Sequence, residues 1–261
     1  MHAPQYHETL FSRVYPGKQD SGPCYIPVLD ALQPCLGFTA AQKQRTVLRS
    51  DAGFGSDANV DHALNEHWQV LAKGKGGRRP QAHARQVTAD AWQALGSDRF
   101  VAPAKTPLIY ARPTQQLVLR WQTETGLLKY STIVCSVMEW KAEEIVALYD
   151  DRGACETEIQ ADKMGLKLER RRKKHLPAQE ALILLTDIAH NLLAWTSQWM
   201  FPTDSLREFG PMRLTEDILS IPGRLFFSQG QLVEVHLNQL HPHAAQVAAG
   251  LECLLDHFGY P

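Results

Sequence analysis

Four side chains able to handle a phosphate stand in "YDDRGACETEIQADK", residues 149–163: the phenol of Tyr149, the guanidinium of Arg152, the carboxylate of Glu156 and the ammonium of Lys163. On a helix, about 100° per residue places Arg152, Glu156 and Lys163 near −60°, −20° and −40° from Tyr149. One narrow face then carries an acid, two bases and a phenol, where a core-facing helix would carry leucine and valine. Such a face meets either water or a ligand. As a solvated helix it gains only roughly 0.2–0.5 kcal/mol from an Arg152–Glu156 pair four residues apart. Gly153 costs about 1 kcal/mol against alanine inside a helix, so it could mark the helix start, with Asp150 or Asp151 near the positive end of the dipole.

A second carboxylate has a position that could serve the same chemistry. "RTVLRSDAGFG" is a β-type run ending at Asp51, followed by a turn whose Gly53 and Gly55 permit close backbone approach. A turn or helix-capping aspartate is the simpler role for it. Joined with Glu156, 105 residues further on, it gives two acids on separate elements. Paired carboxylates of this kind hold Mg²⁺ and leave positions for water and phosphate, and two such ions can clamp the attacking and leaving oxygens of a phosphodiester.

The elements that must position these groups read as an α/β order. Residues 6–15 form a strand before the "PGK" turn; a helix follows over about 25–36, then the strand ending at Asp51, a helix at 57–66 and a strand at 67–73. From 74 to about 138 the character changes to a Gly/Arg/Pro stretch, a short helix near 85–95 and strand-like runs "PLIYARPT", "QLVLRWQ" and "LKYSTIVCSV". "PAQEALILLTDIAHNLLAWTSQWM" opens with Pro177 and repeats Ala181, Leu184, Leu185, Ile188, Leu192 and Trp195 at helical spacing, which reads as a core helix with His190 as a structural histidine. The tail reads as a hairpin around Gln229-Gly230 and a final helix over about 243–257. His236, His241 and His243 lack the cysteines or carboxylates a zinc site would need beside them.

The 261 residues are 44% hydrophobic and 21% charged, enough for a sizeable core, and their net charge of −1 excludes a globally basic nucleic-acid binder. Any phosphate-binding surface must be local, and "KGKGGRRP" at 73–80 and "RRRKKH" at 170–175 are the two basic clusters, with solvated loops as the plain alternative for both. Five scattered cysteines, no C-x-x-C and no secretory leader fit a reduced cytoplasmic protein, and the longest apolar run, "ALILL", is too short to span a bilayer.

"YDDRGACETEIQADK" resembles, at every required position, the Y-x2-R-x3-E-x6-K signature of bacterial insertion-sequence transposases of the insertion-sequence-four group. "RTVLRSDAGFGSD" is similar to their segment carrying the second catalytic aspartate, and "RVYPGKQDS" to the strand and turn before it. "RRRKKHLPAQEALILLTDIAHNLLAW" is similar to their segment after the signature, so the likeness runs over about residues 6–200. The resemblance implies an RNase H-like α/β fold, a mixed sheet flanked by helices with a β-rich insertion between the second and third acids of a DDE triad. It implies Asp51 and Glu156 as metal-binding acids for Mg²⁺ or Mn²⁺. Tyr149, Arg152 and Lys163, with Arg170, Arg171 and Arg172, would contact DNA, and Trp121 or Trp140 could meet a flipped base.

On that reading residues 1–73 are a partial core, 74–138 the insertion, 139–200 the core with the catalytic helix, and 201–261 a C-terminal hairpin and helix. The family's first aspartate precedes the "YPG" turn, and Glu8, Asp20 and Asp30 do not stand in its place. The expectation is an N-terminally truncated DDE transposase fragment for DNA cleavage and strand transfer, inactive alone. The alternative is a remnant that binds DNA or associates with intact transposase. Its partners would be double-stranded transposon-end and target DNA and a second copy or intact transposase, with no membrane, at the nucleoid when DNA-bound.

Overall fold

The computed structural model of the chain describes residues 1–96, 98–151, 160, 162–171 and 173–259, with the backbone alone for Glu169. It divides into two compact units, one of Gly17–Arg152 and one combining Met1–Pro16 with Gly153–Pro261.

At the chain start the strand expected over 6–15 is much shorter. β1 (His2–Ala3) and β2 (Glu8–Thr9) pair antiparallel around a 3₁₀ turn at Pro4–Tyr6. Beyond Thr9 no ladder forms, because the backbone groups go elsewhere: the N–H groups of Leu10 and Phe11 both donate to the Met1 carbonyl, at 2.9 and 3.2 Å. A β-branched and aromatic run becomes a strand only where a neighbour completes its hydrogen bonds.

The Gly17–Arg152 unit is α/β. Its order is α1 (Tyr25–Leu36), β3 (Val47–Ser50), α2 (Asp57–Asn65), β4 (Gln69–Lys73), α3 (Arg79–Gln86), β5 (Gln93–Ala94), β6 (Arg99–Pro103), β7 (Gln115–Gln122), β8 (Leu128–Cys135) and α4 (Ala142–Asp150). The sheet runs β3-β4-β8-β7-β6-β5, with β3 parallel to β4 and every other pair antiparallel. This is the mixed sheet flanked by helices that an RNase H-like domain requires. The β-rich stretch after residue 74 adds its strands to that same sheet, since β8 pairs directly with β4.

Side-chain alternation explains why helices cover both faces. Leu117 and Leu119 of β7, Ile133 and Cys135 of β8 and Leu71 of β4 meet Ile145, Val146 and Tyr149 of α4. The intervening Gln116, Val118, Thr132 and Val134 are buried on the other face, where α3 packs on β7 and β8. Two local expectations give way. "PLIYARPT" holds no strand: Pro107 and Pro113 remove two donors, and the Gln116 side chain stands in for a ladder by bonding the N–H and carbonyl of Leu108 at 2.8 and 2.7 Å. The helix expected near 85–95 begins earlier, at Arg79, with Pro80 in its first turn.

In the other unit α5 (Leu176–Met200) is the long helix expected, but its orientation reverses the reading from spacing. Leu184, Leu185, Ile188 and Leu192 are exposed, whereas Thr186, His190 and Ser197 are buried. The polar side faces inward because the chain start supplies its partners. His190 holds the His7 carbonyl at 2.7 Å and Asp162 at 2.6 Å, as expected of a structural histidine, and Asn191 accepts from the Thr9 N–H at 2.8 Å and donates to its carbonyl at 2.9 Å. A core of Met200, Phe201, Leu206, Leu214, Ile218 and Val247 follows. β9 (Gly223–Ser228) and β10 (Gln231–Leu237) form the expected hairpin, its turn residues Gln229 and Gly230 both at positive φ (52° and 80°), and α6 (Ala244–His257) ends the chain's regular structure. Among the described residues no helix is long and apolar enough to cross a membrane.

Leu119→Ala should cost about 2–5 kcal/mol by opening a cavity in the sheet core. His190→Ala should cost about 1–3 kcal/mol by removing its bonds to the His7 carbonyl and Asp162. Urea unfolding followed by tryptophan fluorescence reads both, and a neutral His190→Ala would contradict the inward-facing polar side of α5.

Candidate active site

Asp51 follows β3 directly, at the end where the parallel pair β3–β4 stops. Its Oδ1 accepts from the N–H groups of Gly53 at 2.9 Å and Phe54 at 3.3 Å, so the carboxylate is oriented by the turn it begins. Oδ2 takes no hydrogen bond from the described residues. The turn is pressed on β4: a Cβ added at Gly55 would lie 1.8 Å from the Lys73 carbonyl oxygen, and the Lys75 N–H donates to the Gly55 carbonyl at 2.9 Å. Only glycine permits that approach. Ser56 then caps α2 through the Asn59 N–H, while the Asn59 amide donates to the carbonyls of Gly22 and Phe54.

Charged groups that spacing did not single out surround this corner. Lys75 pairs with Asp20 at 3.2 Å, and the hydrogen bond from Lys75 holds the Asp20 carboxyl below its ordinary value of 3.8. Arg79 makes a two-pronged contact to Asp57 at 2.6 and 2.7 Å, and the Tyr110 hydroxyl donates to the same carboxylate at 3.2 Å. The Arg79 hydrogen bond is the main reason the Asp57 carboxyl lies below 3.8, while burial first, then Asp57, push the Tyr110 phenol upward. The 73–80 cluster is therefore partly built in: Lys73 ends β4 with its ammonium 5.9 Å from the Trp121 ring centroid, and Arg78 stays exposed. The sequence signal that could have revealed the Asp57–Arg79 pair was weak, because 22 residues and a strand separate its members.

The signature begins at a helix end. Tyr149 sits in the last turn of α4, buried against the sheet, and α4 ends at Asp150. Two arginines from the sheet hold that end. Arg49, two residues before Asp51, donates to the Leu148 carbonyl at 2.7 Å and pairs with Asp151 at 3.3 Å, and Arg99 of β6 makes a two-pronged contact to Asp150. A guanidinium on a terminal helix carbonyl satisfies an orphan acceptor and the negative end of the dipole together. Beside it lies a cavity of about 500 Å³ lined by Lys73, Arg99, Trp121, Ser131, Tyr149 and Asp150 among others. Trp140, the other candidate for a base contact, packs against the same core without lining this cavity.

Arg152, Glu156 and Arg172 lie outside the described residues. Lys163 is exposed on a helical segment, and Arg170 and Arg171 are exposed around a 3₁₀ turn at Leu168–Arg170. Of the three C-terminal histidines, His236 contacts Glu234 at 2.6 Å and His243 contacts Gln246 at 3.0 Å. Among the described residues no three metal-ligating side chains gather. The donor chemistry at Asp51 nonetheless fits a hard divalent cation, which takes carboxylate oxygens one or two at a time and draws the rest from water and phosphate.

Asp51 is thus an oriented carboxylate at a strand end of a mixed α/β sheet. The family described as transposase DDE domain group 1 matches residues 5–257, and the chain belongs to that family. It is a DDE transposase by family, a class that acts on DNA and generally uses divalent metal ions. No curated protein matches the chain.

Gly55→Ala should displace the Asp51 turn from β4 and lower stability by about 1–3 kcal/mol, whereas Gly76→Ala, with open space around its Cβ, should change it little. Asp57→Asn should cost at most about 1 kcal/mol near pH 7, since both partners are over a third exposed. Because the Asp57 carboxyl is held below 3.8, the pair's contribution is present above that value, so in urea melts the gap between variant and parent should shrink as pH falls below 3.8 and the carboxyl takes its proton.

Proposed function

We propose that the chain is the catalytic-domain part of a DDE transposase of the insertion-sequence-four group, acting in cleavage and strand transfer of insertion-sequence DNA. The observation that carries this reading is the Asp51 carboxylate, fixed through Oδ1 by its own turn and open at Oδ2, in a chain that belongs to a transposase family. Asp51 and Glu156 are the acids that would hold the metal, Mg²⁺ or Mn²⁺. When bound, the metal supplies charge neutralisation at the phosphate under attack.

The remaining roles fall to side chains. Arg152, Lys163, Arg170, Arg171 and Arg172 bind phosphate oxygens of double-stranded DNA and set its register. Tyr149 is more buried than a backbone contact requires, and its place in the cavity wall with Trp121 supports a role in shaping the floor against which DNA is held. The same wall favours Trp121 over Trp140 for stacking on an unpaired base.

A third carboxylate is the part this reading must find. Every acid before Asp51 is engaged within its own unit: Glu8 accepts from the Trp195 indole at 2.6 Å, Asp20 pairs with Lys75, and Asp30 contacts His62 at 2.9 Å. We infer that the chain alone cleaves DNA weakly or not at all. The same engagement of the acids supports the second reading, a DNA-binding remnant that associates with intact transposase.

A duplex carrying the terminal repeats that flank the gene tests both. Binding followed by fluorescence anisotropy should weaken steeply with salt, and Lys163→Ala should lower the slope of log K against log salt by about 1. Cleavage in Mg²⁺ or Mn²⁺, alone or with an added N-terminal piece, should vanish in Asp51→Ala and Glu156→Ala while binding persists. Cleavage that survives both substitutions would remove the catalytic assignment; binding indifferent to salt would remove the DNA-contact assignment.

A further inference from the structure

Where α2 and α3 meet, within the Gly17–Arg152 unit, a histidine is buried without a partner. His83 lies on the inner side of α3 and is 7% exposed, and its Nδ1 atom, shielded from solvent, makes no hydrogen bond among the described residues. A ring nitrogen left bare in the interior gives up its hydration for no return. Native structures therefore supply such atoms with a partner, from the protein or from an ordered water.

His83 lines a cavity of about 10 Å³ together with Asp57, Gly74, Arg79, Tyr110 and Thr132 among others. That is close to the smallest space that holds one water, and it is far too small for a phosphate or a nucleotide. Its walls carry the polar groups a water needs. The Thr132 hydroxyl oxygen lies 2.4 Å from where a Cβ on Gly74 would stand, and Asp57 gathers the two-pronged Arg79 contact and the Tyr110 hydroxyl. A metal ion does not suit the site, because Arg79 already takes both carboxylate oxygens of Asp57 and repels a second cation. A water donates or accepts according to the tautomer of the ring, so it satisfies Nδ1 either way.

We propose that one water fills this cavity and bonds the neutral His83 ring to the Asp57–Arg79–Tyr110 group, so that the junction of α2 and α3 holds at neutral pH and loosens when His83 takes a proton. The charges around the ring set that direction. α2 presents Asp57, α3 itself presents Arg79, and the segment between β6 and β7 presents Tyr110, whereas β7 and β8 offer only the uncharged Gln116, Thr132 and Val134. Asp57 is held by Arg79, and among the described residues no second acid lines the cavity, so a proton on His83 places another buried cation beside the guanidinium with no free carboxylate to receive it. Burial first, and then the Arg79 charge, hold the ring below its ordinary value of 6.5. The junction bears on the Asp51 carboxylate through the chain between them. Asp57 is the first residue of α2, and Ser56 and Asn59 tie that helix start to the glycine turn that Asp51 begins.

Because the ring's value is lowered in the folded chain, the stability it contributes is fully present above 6.5 and is lost as pH falls through the lowered value. The experiment uses the full chain without DNA or metal, so its outcome is independent of the transposase reading. In urea melts between about pH 5 and 7.5, His83→Gln, which keeps a polar group toward the water but takes no proton, should lose stability in acid less steeply than the parent. The parent's folding equilibrium constant should fall by up to about tenfold more per pH unit. Nitrogen-edited NMR of the histidine rings in the parent chain should place the His83 titration below 6.5 and show a long-lived water by magnetisation transfer to the ring protons. If His83→Gln fails to fold, these two readings on the parent decide the matter. A His83 ring that titrates at or above 6.5, a folded variant with the parent's pH slope, or a ring with no long-lived water beside it would each overturn the proposal.

Discussion

The packing of α4 on the sheet depends on how its C-terminal end is held. α4 leaves the sheet at Asp150, and the segment with the remaining signature residues begins there. Arg49 and Arg99 reach that end from different strands, one onto the Leu148 carbonyl and Asp151, the other onto Asp150. Arg49 lies two residues before Asp51, so the strand that ends at Asp51 also holds the C-terminal end of α4. Planar guanidinium groups suit this work: they offer several donors at fixed angles, and the carbonyls and carboxylates at a helix C-terminus accept them.

Much of the α/β core was legible from sequence because its signals were local. The helix over 25–36, the strand ending before Asp51, the helix opened by Ser56, the strand at 69–73 and the turn at Gln229-Gly230 all follow from caps, glycines and period-two runs within a few residues. Elements that depend on distant partners were not legible. "PLIYARPT" has strand composition but its backbone is satisfied by Gln116, and β6 was missed because its alternation is short and ends at Pro103.

α5 was misread for a related reason. A helix with one apolar and one polar side looks, in isolation, as though the apolar side must face in. Here His190 and Asn191 find hydrogen-bond partners 182 or more residues away, and that network draws the polar side inward. The place of Asp51 at a strand end before a tight turn was legible through the glycines after it. The Asp20–Lys75 and Asp57–Arg79 pairs were not, since charge spacing carries no information once a strand and a turn intervene.

The unit assembled from both ends of the chain constrains how the protein can be made. Besides pairing with β1, β2 is bound by Asn191, a partner that does not exist until nearly three-quarters of the polypeptide has been synthesised. The Gly17–Arg152 unit is continuous and has all its strands by residue 135, so it can fold on the ribosome before the partners of residues 1–16 on α5 are made. Closure of the outer unit then carries the loop entropy of a chain segment longer than a whole domain, which rises slowly with length once that segment is already compact.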